Sequence, residues 1–458
     1  MEFTGITFLL YFLPICILGY YIFAFSKPIQ NFWLLLMSLV LYSWGEPVFV
    51  MIMVGSVLIN WLMGLLMHAA GKKVIFKKII LAITCIADAG LLVLMKYTNF
   101  IVDTVYDIIE WERLLDVPKI ALPIGISVFV LQEISYIVDV YKGKIVTEQK
   151  FWRYLLFLSY FPAIVQGPIS RYDELAPQLC NTNKFDPTRF QDGLTLVLLG
   201  LVKKIVVADR LAIFVNNCFT NYETFHGMVL YVGAVCYAFQ LYMDFSGCVD
   251  ICRGVSGMFG ISLVENFKSP YYAKSTKEFW NRWHLSLSRW LKDYVYIPLG
   301  GNRHGRMRKY VNLIITFGVS GMWHGAGFNY IVWGVLQAVY QIVGEITSNF
   351  RSKFKARIGV KLGSASDIAY STFITFHLTV LSWVFFRSKG FSASIVYLSN
   401  MFSTSIYGLP LARIYLLEVF HWRYLPCLLC MLLFFWELKS VVSLRMWSVK
   451  ISESFILC

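Results

Sequence analysis

Residues 310–344 form a run of 35 residues without one Asp, Glu, Lys or Arg. A helix needs about 20 apolar residues to cross the hydrocarbon of a bilayer, so the run is too long for one crossing and fits two. Residues 4–25 are likewise uncharged, and residues 28–71 contain only Glu46. Over the whole chain 58% of residues are hydrophobic and 15% charged, where soluble chains carry about 45–50% and roughly 25%. A soluble protein of 458 residues has too much surface to cover with so little charge. The soluble and disordered classes are excluded, and an all-α, polytopic integral membrane protein is expected.

Spans are expected near residues 4–25, 29–45, 47–67, 79–96, 120–138, 153–169, 192–216, 227–246, 311–326, 328–346, 368–387 and 424–440. That is about 11–13 helices by the ~20-residue rule. Several central ones carry breaks: Leu-Pro-Ile-Gly at 122–125, Tyr-Phe-Pro at 160–162 and Gln-Gly-Pro at 166–168. Broken backbone at membrane depth is tolerated only where protein or a watery cavity satisfies the freed groups. Residues 120–330 therefore read as a cavity-lining core within a single membrane domain, 1–458. Residues 275–297 place Trp280, Trp283, Leu287, Trp290, Leu291 and Tyr294 on one helical face, with Lys277, Arg282, Arg289 and Lys292 between them. Such a pattern predicts an amphipathic interfacial or re-entrant helix.

The net charge of +14 does not point to nucleic acid, which would want the charge on one soluble face. The basic residues cluster in short gaps: Lys72, Lys73, Lys77 and Lys78; Arg303, Arg306, Arg308 and Lys309; Arg351, Lys353, Lys355, Arg357 and Lys361. These read as cytoplasmic loops in contact with anionic lipid. The ten cysteines show no metal spacing; Cys427 and Cys430 lie in an apolar run, as small hydrophobes do.

Of seven histidines, His68, His226, His304, His377 and His421 suit span ends and interfaces, where an imidazole needs no further account. His324 differs. It is the one side chain in 310–344 that titrates near neutrality, and it stands in Ser-Gly-Met-Trp-His-Gly-Ala-Gly, 320–327. An intramembrane ionisable group marks function by default, although a histidine bonded across helices as packing glue is the competing reading. A second constellation is Gln-Leu-Tyr-Met-Asp-Phe-Ser-Gly at 240–247, followed by Asp250 and Arg253. Asp244 is suited to orienting an imidazole or, equally, to a structural Asp–Arg pair; Ser246 lies beside it.

Longer motifs join these residues. Residues 279–288 read Phe-Trp-Asn-Arg-Trp-His-Leu-Ser-Leu-Ser, and Ile-Pro-Leu-Gly-Gly-Asn-Arg follows at 297–303. Gly-Met-Trp-His-Gly-Ala comes at 321–326 and Trp-Val-Phe-Phe-Arg at 383–387. With them the chain resembles the membrane-bound O-acyltransferases, and within that family the bacterial alginate O-acetyltransferase-like branch, over most of its length. The resemblance implies His324 as the catalytic histidine and His284, of the Trp-x-x-Trp-His motif, in the same central chamber. Asn281, Arg282, Trp283, Ser320 and Trp323 are the neighbouring candidates for binding or orienting substrate. It further implies a helical fold around that chamber, no bound cofactor or metal, and acetyl-CoA or another acyl thioester as donor. The acceptor would be a cell-surface polysaccharide, reached directly or through an extracytoplasmic partner transferase, and the location a bacterial plasma (inner) membrane. The sister branch, which passes D-alanine from a carrier protein to teichoic acid, is the first alternative. A polysaccharide or solute transporter, which also uses broken helices and intramembrane charge, is the second.

Overall fold

The computed structural model describes residues 3–44, 47–109, 125–181 and 183–403. The expected span at 424–440, the pair Cys427 and Cys430, His421 and the break at 122–124 lie outside the described residues. Among the described residues every regular element is helical, as the span pattern requires. Among the described residues five helices are long and apolar enough to cross a bilayer: Phe8–Phe25, Pro47–Ala69, Val74–Ile109, Met228–Met258 and Ala365–Arg387.

The chain divides into two units, one of residues 1–201 and 245–391, the other of 202–244 and 392–458. The larger unit holds the expected spans 29–45 and 47–67 as Lys27–Ser43 and Pro47–Ala69, and 311–326 and 328–346 as Gly305–His324 and Phe328–Ile346. The expected span 79–96 is longer, running as Val74–Ile109 over 36 residues. At 1.5 Å per residue it reaches about 54 Å, well beyond a ~30 Å hydrocarbon layer. The expected span 192–216 is three pieces, Pro187–Leu201 in the larger unit and Val202–Ala208 and Asp209–Thr220 in the smaller. In the smaller unit Tyr397 donates to the carbonyl of Leu230 at 2.7 Å and stacks on Phe219.

Because lipid tails are as apolar as the helices, helix association inside a bilayer depends on close packing and on polar bonds rather than on hydrophobic burial. The larger unit uses both. Ser56 donates to the two carboxyl oxygens of Glu133 at 3.1 and 2.9 Å. Asn60 donates to Asp88 at 2.9 Å and accepts from Tyr154 at 2.7 Å. These bonds tie together four helices: Pro47–Ala69, Val74–Ile109, Ile126–Tyr141 and Phe151–Ser159. Each such bond is worth about 0.6–2 kcal/mol in a membrane, and leaving a buried partner unmade costs more.

The break at Tyr160 is present, and protein groups satisfy it. Phe151–Ser159 ends there and the four-residue helix Phe161–Ile164 follows. The freed amide of Phe161 donates to the Ser38 hydroxyl at 3.3 Å, and the Tyr160 hydroxyl bonds that of Ser256 at 2.8 Å. Further on, the amide of Ile169 donates to Ser286 Oγ at 3.1 Å.

Residues 275–297 do not form one helix. They fold as Thr276–Trp280, a turn, Leu285–Leu291 and the wide turn Lys292–Tyr296. Trp280, Trp283 and Trp290 are buried, so the tryptophan face meets protein and not the membrane surface. The helical spacing was legible; the interruption at His284 was not, because His284 adopts φ 45°, ψ 55°, a conformation side chains rarely take.

Close packing reaches its limit where Gly305–His324 crosses Phe328–Ile346. A Cβ on Gly334 would stand 2.1 Å from the carbonyl oxygen of Phe317, and one on Gly321 would stand 2.3 Å from that of Tyr330. A second crossing joins Pro187–Leu201 to residues 245–258, where Cβ atoms on Gly193 and Gly200 would each lie 2.6 Å from the carbonyl oxygens of Gly254 and Gly247. Small residues let helix backbones approach this closely. Replacing Gly334 by Ala is expected to destabilise the protein by about 2–3 kcal/mol through overpacking. In the same helix pair Gly318, with nothing within 4 Å of its Cβ position, should accept Ala with no loss. Monodispersity in detergent after graded heating compares the two, and equal melting of both variants would refute the role of the crossing.

Candidate active site

The helix Gly305–His324 ends at its histidine, and the chain leaves it extended at Gly325. The tight crossing at Gly321 and Gly334 fixes where that end lies. Gly325 is required for a related reason: a Cβ there would sit 2.2 Å from the Tyr330 ring. His324 is thus held at a helix terminus with its ring directed among aromatic neighbours. Trp323 lies 4.8 Å from it, Trp333 5.1 Å and Phe386 5.2 Å between ring centroids, all edge-on.

His284 arrives from the broken segment. Asn266 holds the turn: its carbonyl accepts from the amide of Leu285 at 3.0 Å, and its Oδ1 accepts from the amide of Ser286 at 2.8 Å. The start of Leu285–Leu291 is thereby satisfied without help from the His284 side chain. A left-handed non-glycine residue costs of order 1–3 kcal/mol, and such strain gathers at functional sites. The result brings the two imidazoles to 6.5 Å, centroid to centroid. His284 is 3% exposed, with Phe245 edge-on at 4.8 Å and Trp323 at 6.1 Å. Its Nδ1 has no hydrogen-bond partner among the described residues.

Behind the pair stands a wall of tryptophans. Trp333 stacks on Trp383 at 5.5 Å, and Trp283 packs on Trp383 at 5.2 Å. Trp280 meets Trp333 at 5.9 Å and donates to Gln337, which in turn donates to Ser382 at 2.7 Å. The indole N–H groups of Trp333 and Trp383 are buried and unpartnered among the described residues, as are the hydroxyls of Ser320 and Ser246. Ser320 stands one helical turn before His324, on the same side of its helix. Buried polar groups are ordinarily bonded, so several left free around two imidazoles are suited to bonding a substrate.

The structure therefore brings His284, His324, Trp323 and Trp283 into one aromatic cluster, with Ser320 adjacent along its helix. The other candidates have different surroundings. Arg282 donates to Glu278 at 2.7 and 3.1 Å, and Asn281 is exposed. Asp244 pairs with Lys204 at 3.0 Å within the smaller unit, and Lys204 also meets Asp209 at 2.9 Å. Asp250, the other acid of that constellation, pairs with Arg253 at 3.4 Å. No cluster of three metal-ligating side chains occurs among the described residues.

One charged neighbour escaped the sequence reading. Lys96 donates to the carbonyl of Trp323, the residue joined to His324, and its ammonium lies 5.9 Å from the Trp323 ring centre. The Trp323 indole donates to the carbonyl of Ser127 at 3.1 Å. A signal was available: Lys96 is the one charged residue between Asp88 and Asp103. Assigning it to the end of a span at 79–96 hid its mid-helix position.

Residues 144–386 match the MBOAT, membrane-bound O-acyltransferase family, a stretch that contains both histidines. The chain is 36% identical over 406 residues to a probable alginate O-acetylase of Pseudomonas syringae pv. tomato, covering 88% of this chain and 75% of that protein. It is 34% identical over 423 residues to a peptidoglycan O-acetyltransferase of Helicobacter pylori, covering 86% and 78%. A teichoic acid D-alanyltransferase of Bacillus subtilis is 30% identical over 227 residues, covering 47% of this chain and 57% of its own length. With half of the chain inside the family match and the long relatives aligned over most of both lengths, the chain belongs to the membrane-bound O-acyltransferase family, an enzyme of several membrane spans.

Proposed function

We propose that the enzyme moves an acetyl group from a cytoplasmic thioester to a hydroxyl of a cell-surface polysaccharide, directly or through an extracytoplasmic partner, in a bacterial plasma membrane. The observation that carries the reading is the His284–His324 pair, 6.5 Å apart against the tryptophan wall. Acetyl rather than D-alanyl is favoured by the relatives: the O-acetylating ones align over 86–88% of the chain, the D-alanylating one over 47%.

The chemistry needs a base, because an alcohol is a weak nucleophile near neutral pH. His324 takes the hydroxyl proton as the oxygen attacks the thioester carbonyl. The C–S bond then breaks, the proton passes to the departing thiolate, and the imidazole is returned neutral. His284 acts in the same chamber, with its ring fixed by the Asn266-held turn. The unpartnered donors nearby, the Trp333 and Trp383 indoles and the Ser320 hydroxyl, are suited to the oxyanion that develops on the carbonyl. Aromatic walls around the base limit water and protect the thioester from hydrolysis. Asp244, Ser246, Asn281, Arg282 and Trp283 fall outside this proton path. Arg282, paired with Glu278, serves more naturally to hold the segment that presents His284.

Membranes carrying His324→Ala are expected to lose about 10²–10⁴-fold in acetyl transfer, the contribution of a general base, while the protein remains inserted and monodisperse. Undiminished transfer would remove His324 as the base. The donor is tested separately by incubating purified protein with labelled acetyl-CoA and with acyl-loaded carrier protein. Consumption of acetyl-CoA is expected, and consumption of the carrier-bound acyl group alone would favour D-alanyl transfer.

A further inference from the structure

We infer that Lys96 is a positioning residue for the reaction: its ammonium caps the C-terminal end of the catalytic helix and thereby sets where the His324 imidazole stands. The inference rests on His324 as the base. The last four carbonyls of any α-helix have no partner within the helix, and the end of Gly305–His324 lies among apolar rings. The Trp323 carbonyl is one of these four, and Lys96 donates to it. A cation at this end also meets the negative pole of the helix dipole.

The position of Lys96 is itself unusual. It lies within Val74–Ile109, a helix long enough to cross the bilayer, and it forms no ion pair with a carboxylate among the described residues. A lysine in so apolar a stretch calls for a partner for its charge. Here one N–H of its ammonium donates to the peptide carbonyl that adjoins His324, while its charge rests near the Trp323 ring, a cation–π arrangement. Ser127 holds the same residue from another helix by accepting from the Trp323 indole. Residue 323 is therefore gripped at its backbone by Val74–Ile109 and at its side chain by Ile126–Tyr141. The peptide that joins residue 323 to His324 cannot turn without breaking the Lys96 grip.

A base displaced by about 1 Å can lose on the order of 10²-fold in rate, because proton transfer needs hydrogen-bond distance. Binding of the donor does not depend on that last fraction of an ångström. The test uses the full chain in lipid nanodiscs, with acetyl-CoA as donor, and compares Lys96→Met with Lys96→Arg. Lys96→Met is expected to lower kcat about 10- to 100-fold and leave the donor KM within about twofold, with helical content and monodispersity retained. Lys96→Arg, which restores a cationic donor, should recover kcat to within about threefold of the parent. A Met variant with unchanged kcat, a change confined to KM, or an Arg variant as impaired as Met while both are folded would each overturn the inference. If Lys96→Met does not yield folded protein, Lys96→Gln replaces it, and an unchanged kcat there would overturn it equally. His324→Ala assayed alongside separates the two ideas: activity in that variant refutes the base, whereas its inactivity beside a fully active Lys96→Met refutes only the cap.

Discussion

The crossing of Gly305–His324 with Phe328–Ile346 is the constraint on which the site depends. At Gly321 and Gly334 each backbone approaches so closely that a single methyl group would collide with a carbonyl oxygen of the other helix. In a bilayer, where burial of apolar surface gives no drive to association, such surface fit supplies much of the attraction. It also gives precision. Two helices locked at van der Waals contact cannot slide, so the helix end that carries His324 and the Trp333 ring that faces it at 5.1 Å are set in one stroke. The glycines beside His324 serve helix packing first; room for substrate is a second consequence.

Against that rigid hairpin the other histidine comes from irregular backbone. Membrane interiors tolerate irregular chain only where protein satisfies its polar groups, and here Asn266, Ser286, Ser38 and Ser256 do so. The break at Tyr160 is bound by side chains from other helices, and that at His284 by Asn266 from the irregular stretch that follows Met258. Those same bonds let an imidazole sit in a left-handed conformation that a regular helix would forbid. The site is thus a meeting of two kinds of backbone: a tight helical pair that holds His324 and an irregular segment, tied by Asn266, that offers His284.

Much of this was legible in the sequence because the bilayer imposes simple rules. The uncharged runs gave the helical membrane class, and the lone imidazole in 310–344 singled out His324. The breaks around Tyr160 were readable from Pro and Gly. For the tryptophan face of 275–297 the interfacial and re-entrant readings stood side by side, and burial of the three rings excludes the interfacial one; periodicity reports which residues share a side and says nothing of what covers that side. Asp244 looked equally fit to orient an imidazole or to pair with an arginine; in the structure its ion-pair partner is Lys204, forty residues earlier in the chain. Lys96 was passed over because a lysine closing an apolar window looks like a span end; only the fold shows that the helix runs on to Ile109 and that Lys96 reaches the Trp323 carbonyl.

The sequence by itself determined that the chain lives in lipid, that it is helical, and which two histidine motifs stand out as candidates for the chemistry. These follow from local quantities: the length of uncharged runs, the price of intramembrane charge and the short motifs themselves. Tertiary structure alone decided that the two imidazoles meet at 6.5 Å, that His284 stands at a left-handed break, and that Lys96 reaches the backbone beside His324. Those are distances between residues 40 to more than 220 positions apart. No periodicity encodes them; they arise when glycine contacts and buried polar bonds leave the helices a single way to pack.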